Sequence, residues 1–171
     1  GDRWAAGTAT VADEHTASAA MGEVVNRLAG FVTQRPRRGT AISACLAGEH
    51  HGLASRMCGL LLREAGFHAL VPGPDTPDDA LLALIEESDA RVVCLSASCL
   101  LSGDASLVDR VESVRALLAP RGARLFLGGD GFAPPGFEPL PPARFLADMR
   151  ALSTALRRPA APAWSRSLLA I

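Results

Sequence analysis

The sequence lacks the features that direct a chain into a membrane or an oxidising compartment. No apolar run approaches the roughly 18 residues that a membrane-spanning helix needs, and the N-terminal segment has no signal-peptide pattern. The four cysteines form no CxxC pair, and Cys45, Cys58 and Cys94 lie in apolar surroundings. We therefore expect reduced, buried thiols in a cytoplasmic protein with no membrane partner.

The patterns of several catalytic and ligand sites are also missing. We find no nucleophile–base pair and no residue pairs with the spacing of a structural zinc site. The turn at Gly128–Gly131 fits neither the GxxxxGK[ST] phosphate loop nor a dinucleotide-binding GxGxxG in its strand-to-helix context. The formal net charge is −1, which provides no basic surface for nucleic acid. We predict a binding protein rather than an enzyme, and any DNA contact would come from a segment outside this chain.

The 171 residues suffice for one domain with a substantial core. The chain opens on Gly1-Asp2 without Met, so we expect it to be part of a longer protein. Residues 13–33 are predicted to form an amphipathic helix, and the Ala-rich segment 3–11 is predicted to be helical too. Apolar residues recur in the longer helix with helical spacing at Met21, Val24, Val25, Leu28, Phe31 and Val32. Residues 1–34 are thus predicted to be a partial helical cap, followed by a solvated basic linker.

From residue 40 onward, short apolar runs alternate with helical patterns. This rhythm indicates an α/β fold: a Rossmann-like, flavodoxin-like, five-stranded parallel sheet with flanking helices, preceded by the partial cap. The predicted strands are Thr40–Leu46, Phe67–Val71 (ended by Pro72-Gly73-Pro74), Arg91–Ala97, Ala123–Leu127 and Arg144–Ala147. Helices are predicted after the first strand and over about 78–88, 107–118 and 148–157. The α/β unit spans 40–157, and the Ala- and Pro-rich tail 158–171 is predicted to be irregular.

Ligands of open α/β sheets bind outside the carboxyl ends of the strands, and three such ends carry unusual residues. They are Gly48–Gly52 with Glu49 and His51, then Ser96-Ala97-Ser98, and then Gly128–Gly131. A loop histidine can bind a metal while a nearby carboxylate holds its other ring nitrogen. Serine hydroxyls can bind a buried polar group, and paired glycines admit a flat ligand close to the backbone. The sequence therefore predicts a ligand site at this edge.

The spacing of these residues resembles the B12-binding signature. Glu49-His50-His51-Gly52-Leu53-Ala54 is followed after 41 residues by Ser96-Ala97-Ser98, and then by Gly128-Gly129. The resemblance implies that His51 replaces the dimethylbenzimidazole base as lower cobalt ligand and that Glu49 orients it. It also implies that Ser96, Ser98, Gly128 and Gly129 surround the displaced nucleotide tail. Ala54 stands where the family usually has Gly, and its methyl group narrows the space for that tail.

The N-terminal segment resembles a second motif. Trp4, nine residues, and Glu14-His15 match the Trp-x9-Glu-His pattern of cobalamin-dependent photoreceptors, which are light-responsive transcription regulators. The resemblance implies that Trp4 covers the upper face of the cofactor and that Glu14 and His15 surround its adenosyl group. Adenosylcobalamin is then the favoured form, with methylcobalamin or hydroxocobalamin as alternatives. The implied partners are a second copy or a regulatory protein. Some members have a His directly after the Trp, where this chain has Ala5.

Simpler interpretations of these residues stay open. His50 is predicted to be exposed and without a role, and His68 to be structural. Ser96 and Ser98 could cap the next helix. Gly128-Gly129 could form an ordinary turn, and Trp4 could be a packing residue.

Three functions fit the sequence. The first is a sensory cobalamin domain that responds to light or to cofactor occupancy. The second is a corrinoid protein that carries a methyl group between methyltransferase partners, and such proteins usually lack the Trp-x9-Glu-His motif. The third is a degenerate domain without cofactor, which Ala54 alone favours.

Overall fold

A computed structural model describes residues 6–32, 36–98, 104–133, 137 and 143–157. Its strands are β1 (Thr40–Leu46), β2 (His68–Thr76), β3 (Val92–Ser96), β4 (Arg124–Gly128) and β5 (Ala143–Phe145). Its helices are α1 (Val11–Phe31), α2 (Leu53–Glu64), α3 (Asp78–Ser88), α4 (Ser106–Leu118) and α5 (Met149–Arg157), with a short 3-10 turn at Asp130–Phe132. All strand pairs are parallel, in the order β2-β1-β3-β4-β5. The predicted fold class, a Rossmann-like five-stranded sheet, is confirmed.

Helices cover both faces of the sheet, which explains the continuous apolar runs of the strands. On one face, α3 and α4 pack with residues such as Leu81 and Val111 against Ile42 and Leu125. On the other face, α2 and α5 pack against β-strand side chains that include Cys94 and Phe126. Because successive strand residues point to opposite faces, each strand contributes to both cores.

Helix α1 begins at Val11, two residues before the predicted start at residue 13. Thr10 is its N-cap: its hydroxyl accepts from the backbone N–H of Asp13, and the Asp13 carboxylate accepts from the backbone N–H of Thr10 at 2.8 Å. Residues 6–9 form turns and bends and residue 10 is the N-cap, so the separate prediction of helix over 3–11 is wrong for residues 6–10. The reciprocal cap satisfies the backbone N–H groups of Thr10 and Asp13, which stabilises the start of the helix at Val11.

The apolar stripe of α1 is mostly exposed. Val25 is buried against the rest of the chain, where α1 packs on α2. The large side chains of Met21, Val24, Leu28 and Phe31 are between 47% and 79% exposed. The predicted amphipathic pattern is present, but only a narrow part of it meets the sheet domain in the described chain.

Strand β2 extends beyond its predicted end. The strand continues through Pro72-Gly73-Pro74 to Thr76, so the expectation that this segment would terminate it is wrong. β2 lies at the edge of the sheet, where a proline without an N–H removes no required ladder bond. The β1–β2 pairing shifts register between Ile42 and Ala44 and again between Ala44 and Leu46. β2 thus takes up additional residues and bends next to the end of β1.

Arg38 is part of the folded structure and not of a solvated linker. Its guanidinium donates to the carbonyl oxygen of Leu156 at 2.8 Å and lies 4.6 Å from the ring centroid of Phe67. His68 at the start of β2 and His50 are both exposed. Linker residues 33–35, the tail 158–171, Cys99 and Trp4 lie outside the described residues. Among the helices described, none is both long enough and apolar enough to span a membrane.

Candidate ligand-binding site

A cavity of about 360 Å³ opens at the carboxyl edge of the sheet. Its volume lies within the range of small-molecule and cofactor sites. Its wall includes all six residues that the sequence predicted from the α/β part: Glu49, His51, Ser96, Ser98, Gly128 and Gly129. Most of the remaining wall is apolar, with Ala54, Cys58, Cys94, Leu95, Ala97, Phe126, Leu127, Leu146, Ala147, Met149 and Leu152. The three predicted strand ends therefore converge on one cavity.

Glu49 and His51 form a tight pair at this cavity. The Oε1 atom of Glu49 lies 2.7 Å from Nδ1 of His51 and accepts from the backbone N–H of His51 at 2.8 Å. Glu49 is 1% exposed, whereas the His51 side chain is 60% exposed. The buried carboxylate thus fixes one side of the imidazole while the ring itself faces outward.

The carboxylate of Glu49 also connects two strand ends. Its second oxygen, Oε2, accepts from the backbone N–H of Ser98, beyond the end of β3. Burial by itself raises the pKa of Glu49. Hydrogen bonds from the Ser98 side chain, the His51 and Ser98 backbone and the His51 ring outweigh burial and hold the pKa below the usual range. Glu49 is therefore ionised at neutral pH and is an acceptor for the His51 Nδ1–H.

This arrangement suits a metal ligand. With Nδ1–H donated to a carboxylate, the neutral imidazole keeps its lone pair on Nε2, and the carboxylate raises its basicity. Within the described part of the chain, no group of three or more His, Cys, Asp or Glu side chains is arranged to hold a metal ion. The donor set is therefore a single oriented histidine beside an apolar cavity, which fits a metal that brings its other ligands with it.

The serines and glycines have structural partners of their own. Ser96 Oγ donates to the carbonyl oxygen of Ala44 at 3.4 Å. Among the described helices, the one that follows the two serines is α4, which begins at Ser106 with Ala105 as its N-cap, so neither serine caps α4. Gly129 has φ +99°, and a Cβ there would lie 2.2 Å from the carbonyl oxygen of Ala97. Gly129 is thus required by the turn itself, whatever the cavity binds.

The cap residues are only partly described. Trp4 lies outside the described residues, while Glu14 and His15 lie in the first turns of α1. Glu14 Oε1 accepts from Ser18 Oγ at 2.6 Å, and this bond lowers the pKa of Glu14, with smaller contributions from the charges of His15 and His51. The side chain of His15 is 76% exposed.

Sequence reasoning missed the apolar lining of the cavity. Cys58, Cys94 and Met149 come from three separate elements, and Cys58 Sγ lies 3.8 Å from Met149 Sδ. Burial raises the pKa of Cys58 to about 11, so its thiol is neutral at physiological pH. Helical and strand periodicity indicate that these side chains point inward, but they do not separate a cavity wall from a filled core.

Comparisons with known proteins relate the fold of this chain to that of corrinoid proteins. No protein-family model matches the chain. It is 31% identical over 86 residues to the HTH-type transcriptional repressor CarA of Myxococcus xanthus, a match covering 50% of this chain and 30% of the repressor. The monomethylamine corrinoid protein of Methanosarcina barkeri superposes with a TM-score of 0.70 at 18% identity, covering 91% of this chain and 74% of the other.

A second structure from Methanosarcina barkeri, the methanol:cobalamin methyltransferase complex MtaBC, superposes with a TM-score of 0.55 at 16% identity. That match covers 90% of this chain and 59% of the other. At these identities the likeness establishes a common fold. The chain spans less than a third of the length of the repressor that it matches. It has the α/β fold found in corrinoid-binding proteins.

Proposed function

We propose that this chain binds cobalamin in the base-off form, with His51 Nε2 as the lower ligand of cobalt. One observation carries the proposal: the buried, ionised Glu49 holds His51 Nδ1 at 2.7 Å beside an apolar cavity. We assign the binding unit to residues 40–157 and the helical cap to residues 1–34. The free cysteines Cys45, Cys58 and Cys94 agree with a reducing, cytoplasmic location.

In this proposal the cavity receives the displaced nucleotide tail of the corrinoid. Ser96, Ser98, Gly128 and Gly129 provide polar groups and backbone at its wall, and the Ala54 methyl group also lines it. Thiols and apolar side chains make up most of the remaining wall. The chain supplies the lower ligand, its orientation and a dry compartment, and the organometallic chemistry belongs to the cofactor.

We further propose a regulatory role, in which the domain senses adenosylcobalamin or the light that cleaves its cobalt–carbon bond. The Trp4…Glu14-His15 motif and the 31% identity to a transcriptional repressor support this role. The charge of His51 contributes to the lowered pKa of Glu14, which supports placing α1 on the side of the cofactor. Its output would be a change in association with a second copy or with a regulatory partner.

A second candidate is a corrinoid protein that passes a methyl group between partner enzymes. Two of the proteins with a similar fold are a monomethylamine corrinoid protein and a methanol:cobalamin methyltransferase complex, which favours this candidate at the level of the fold. It needs the same His51 and the same cavity, but it needs neither Trp4 nor a light response.

The test is a visible-light absorption titration of the protein with adenosylcobalamin in the dark, repeated after illumination. We expect a base-off/His-on spectrum for the native chain and for His50→Ala, and its loss in His51→Ala. His50 is the matched control because it is adjacent, exposed and outside the cavity wall. Size-exclusion profiles of dark and illuminated samples report any change in assembly.

Each outcome separates the candidates. A His-on spectrum that changes on illumination together with the elution volume supports the sensory role. A His-on complex whose light response equals that of free cofactor supports the methyl carrier. Identical spectra for the native chain and His51→Ala would contradict cobalt ligation by His51, and no binding at all would indicate a degenerate domain.

A further inference from the structure

We propose that Asp75, a residue at the end of β2, positions the loop that carries Glu49 and His51. The inference rests on the proposed function only where it concerns cofactor affinity. Its structural part concerns the loop Gly48–Gly52 in the protein by itself.

The position of Asp75 results from the irregular pairing of β1 and β2. Ile42 pairs with Leu70, Ala44 with Gly73 and Leu46 with Thr76, so β2 uses three residues for every two of β1. The added residues carry the end of β2 across the loop that follows β1.

Asp75 has an unusual backbone conformation. Its φ is +50°, and only one other described non-glycine residue, Asp89, also has a positive φ. Aspartate tolerates this left-handed region better than most residues, but a residue there needs surrounding contacts that hold it.

Two hydrogen bonds join Asp75 to adjacent residues of the loop. Its carboxylate oxygen Oδ1 accepts from the backbone N–H of Gly48 at 2.8 Å, and its backbone N–H donates to the carbonyl oxygen of Glu49 at 2.7 Å. Gly48 itself has φ +85°, so the loop turns sharply where the carboxylate binds it. Asp75 therefore determines where the backbone of Glu49 lies.

Pro74, the residue before Asp75, contacts the same loop at Gly52, on the other side of His51. A Cβ placed on Gly52 would lie 3.3 Å from Cδ of Pro74, so Pro74 packs closely against the loop there. Pro74 and Asp75 thus bracket the loop from Gly48 to Gly52. The Glu49 carboxylate reaches His51 and Ser98 together only if the loop backbone stays in this position.

The experiment compares Asp75→Gly with Asp75→Asn. Glycine accepts a positive φ but removes the oxygen that binds Gly48, whereas asparagine keeps both an acceptor oxygen and the tolerance for that conformation. Asp89→Gly is the matched control, because Asp89 has φ +46° and lies after α3, where its side chain pairs with Arg91.

The first readout needs no cofactor. Nitrogen-15 NMR of the apo-protein reports the Nδ1–H tautomer of His51, and amide hydrogen exchange reports opening at Gly48. We expect faster Gly48 exchange and partial loss of the Nδ1–H form in Asp75→Gly, with native behaviour in Asp75→Asn and Asp89→Gly. The second readout is the dissociation constant for adenosylcobalamin in the dark, which we expect to rise about 2- to 10-fold in Asp75→Gly only.

The outcomes for the positioning role and for the proposed function are distinct. Native exchange and tautomer signals in Asp75→Gly would overturn the positioning role, even if cobalamin binds. A loosened loop in Asp75→Gly would uphold it even if the native protein binds no cobalamin, and only the proposed function would then fail.

Discussion

Burying a carboxylate destabilises a folded protein unless hydrogen bonds satisfy its oxygens. Glu49 is buried, and both of its oxygens accept such bonds. Its two oxygens accept from the loop backbone, from the His51 ring and from the Ser98 backbone beyond β3. The spacing of Glu49 and His51 predicts the contact between the carboxylate and the His51 ring, because the two residues are only two apart in one loop. The contact with Ser98 spans 49 residues and depends on β1 and β3 being neighbours.

The contact that Asp75 makes with the loop is not predictable from the sequence. Its bond to Gly48 spans 27 residues and exists because the β1–β2 register shifts twice. Nothing in the local sequence distinguishes it from an ordinary turn aspartate after Pro72-Gly73-Pro74.

Cys58 provides a prediction for a single residue. Burial raises its pKa from 9.0 to about 11, so the reactive thiolate forms only as the pH rises toward that value. At pH 8 we expect alkylation of Cys58 to be about a hundredfold slower than in the chain unfolded in urea. Peptide mass spectrometry of samples labelled with iodoacetamide follows this one residue, and equal rates in folded and unfolded protein would contradict its burial.

At the scale of elements, α1 shows that an amphipathic pattern does not specify what covers it. The sequence predicted the helix correctly, but the described chain buries Val25 and leaves Val24, Met21, Leu28 and Phe31 largely exposed. Helical periodicity depends on the chain alone, whereas burial depends on the angle and distance at which α1 meets α2.

Two adjacent valines test the packing of α1. Val25 is 6% exposed and Val24 is 48% exposed. We expect Val25→Ala to lower the free energy of unfolding by about 1–2 kcal/mol, because two buried methyl groups are lost. Val24→Ala has the same helix propensity change and is expected to stay within about 0.5 kcal/mol of the native protein. Urea unfolding followed by circular dichroism measures both, and equal losses would show that α1 is packed differently.

Strand β2 is the element whose extent was predicted least well. A Pro-Gly-Pro segment normally ends a strand, and it does not do so here because β2 is an edge strand. Edge position is a property of the sheet order, which becomes known only when the other four strands are placed.

At the scale of the whole molecule, the cavity lies at one edge of the sheet, and no single helix or strand forms it alone. Three loops after β1, β3 and β4 meet there because those strands are neighbours and parallel. The rule that ligands bind at the carboxyl ends of parallel strands predicts this convergence from the sequence alone.

Cofactor binding across three strand ends should stabilise the whole fold. A ligand present at a hundred times its dissociation constant adds about 2.7 kcal/mol to the folded state. For a chain of this size that corresponds to a rise in Tm of roughly 5–11 °C. Thermal unfolding in the dark with adenosylcobalamin measures the rise, which we expect to be much smaller for His51→Ala at the same ligand concentration. An undiminished rise in that variant would place the main binding energy away from His51.

The sequence by itself determined the fold class, the positions of most helices and strands, and the six α/β residues that line the cavity. It could do so because hydrophobic periodicity and strand-end chemistry are local, and because the parallel sheet orders its loops by rule. Only the tertiary structure decided the burial of Glu49 and its bond to Ser98, the apolar cavity wall, the exposure of α1 and the hold of Asp75 on the loop. These depend on distances between elements far apart in the chain, and packing sets those distances.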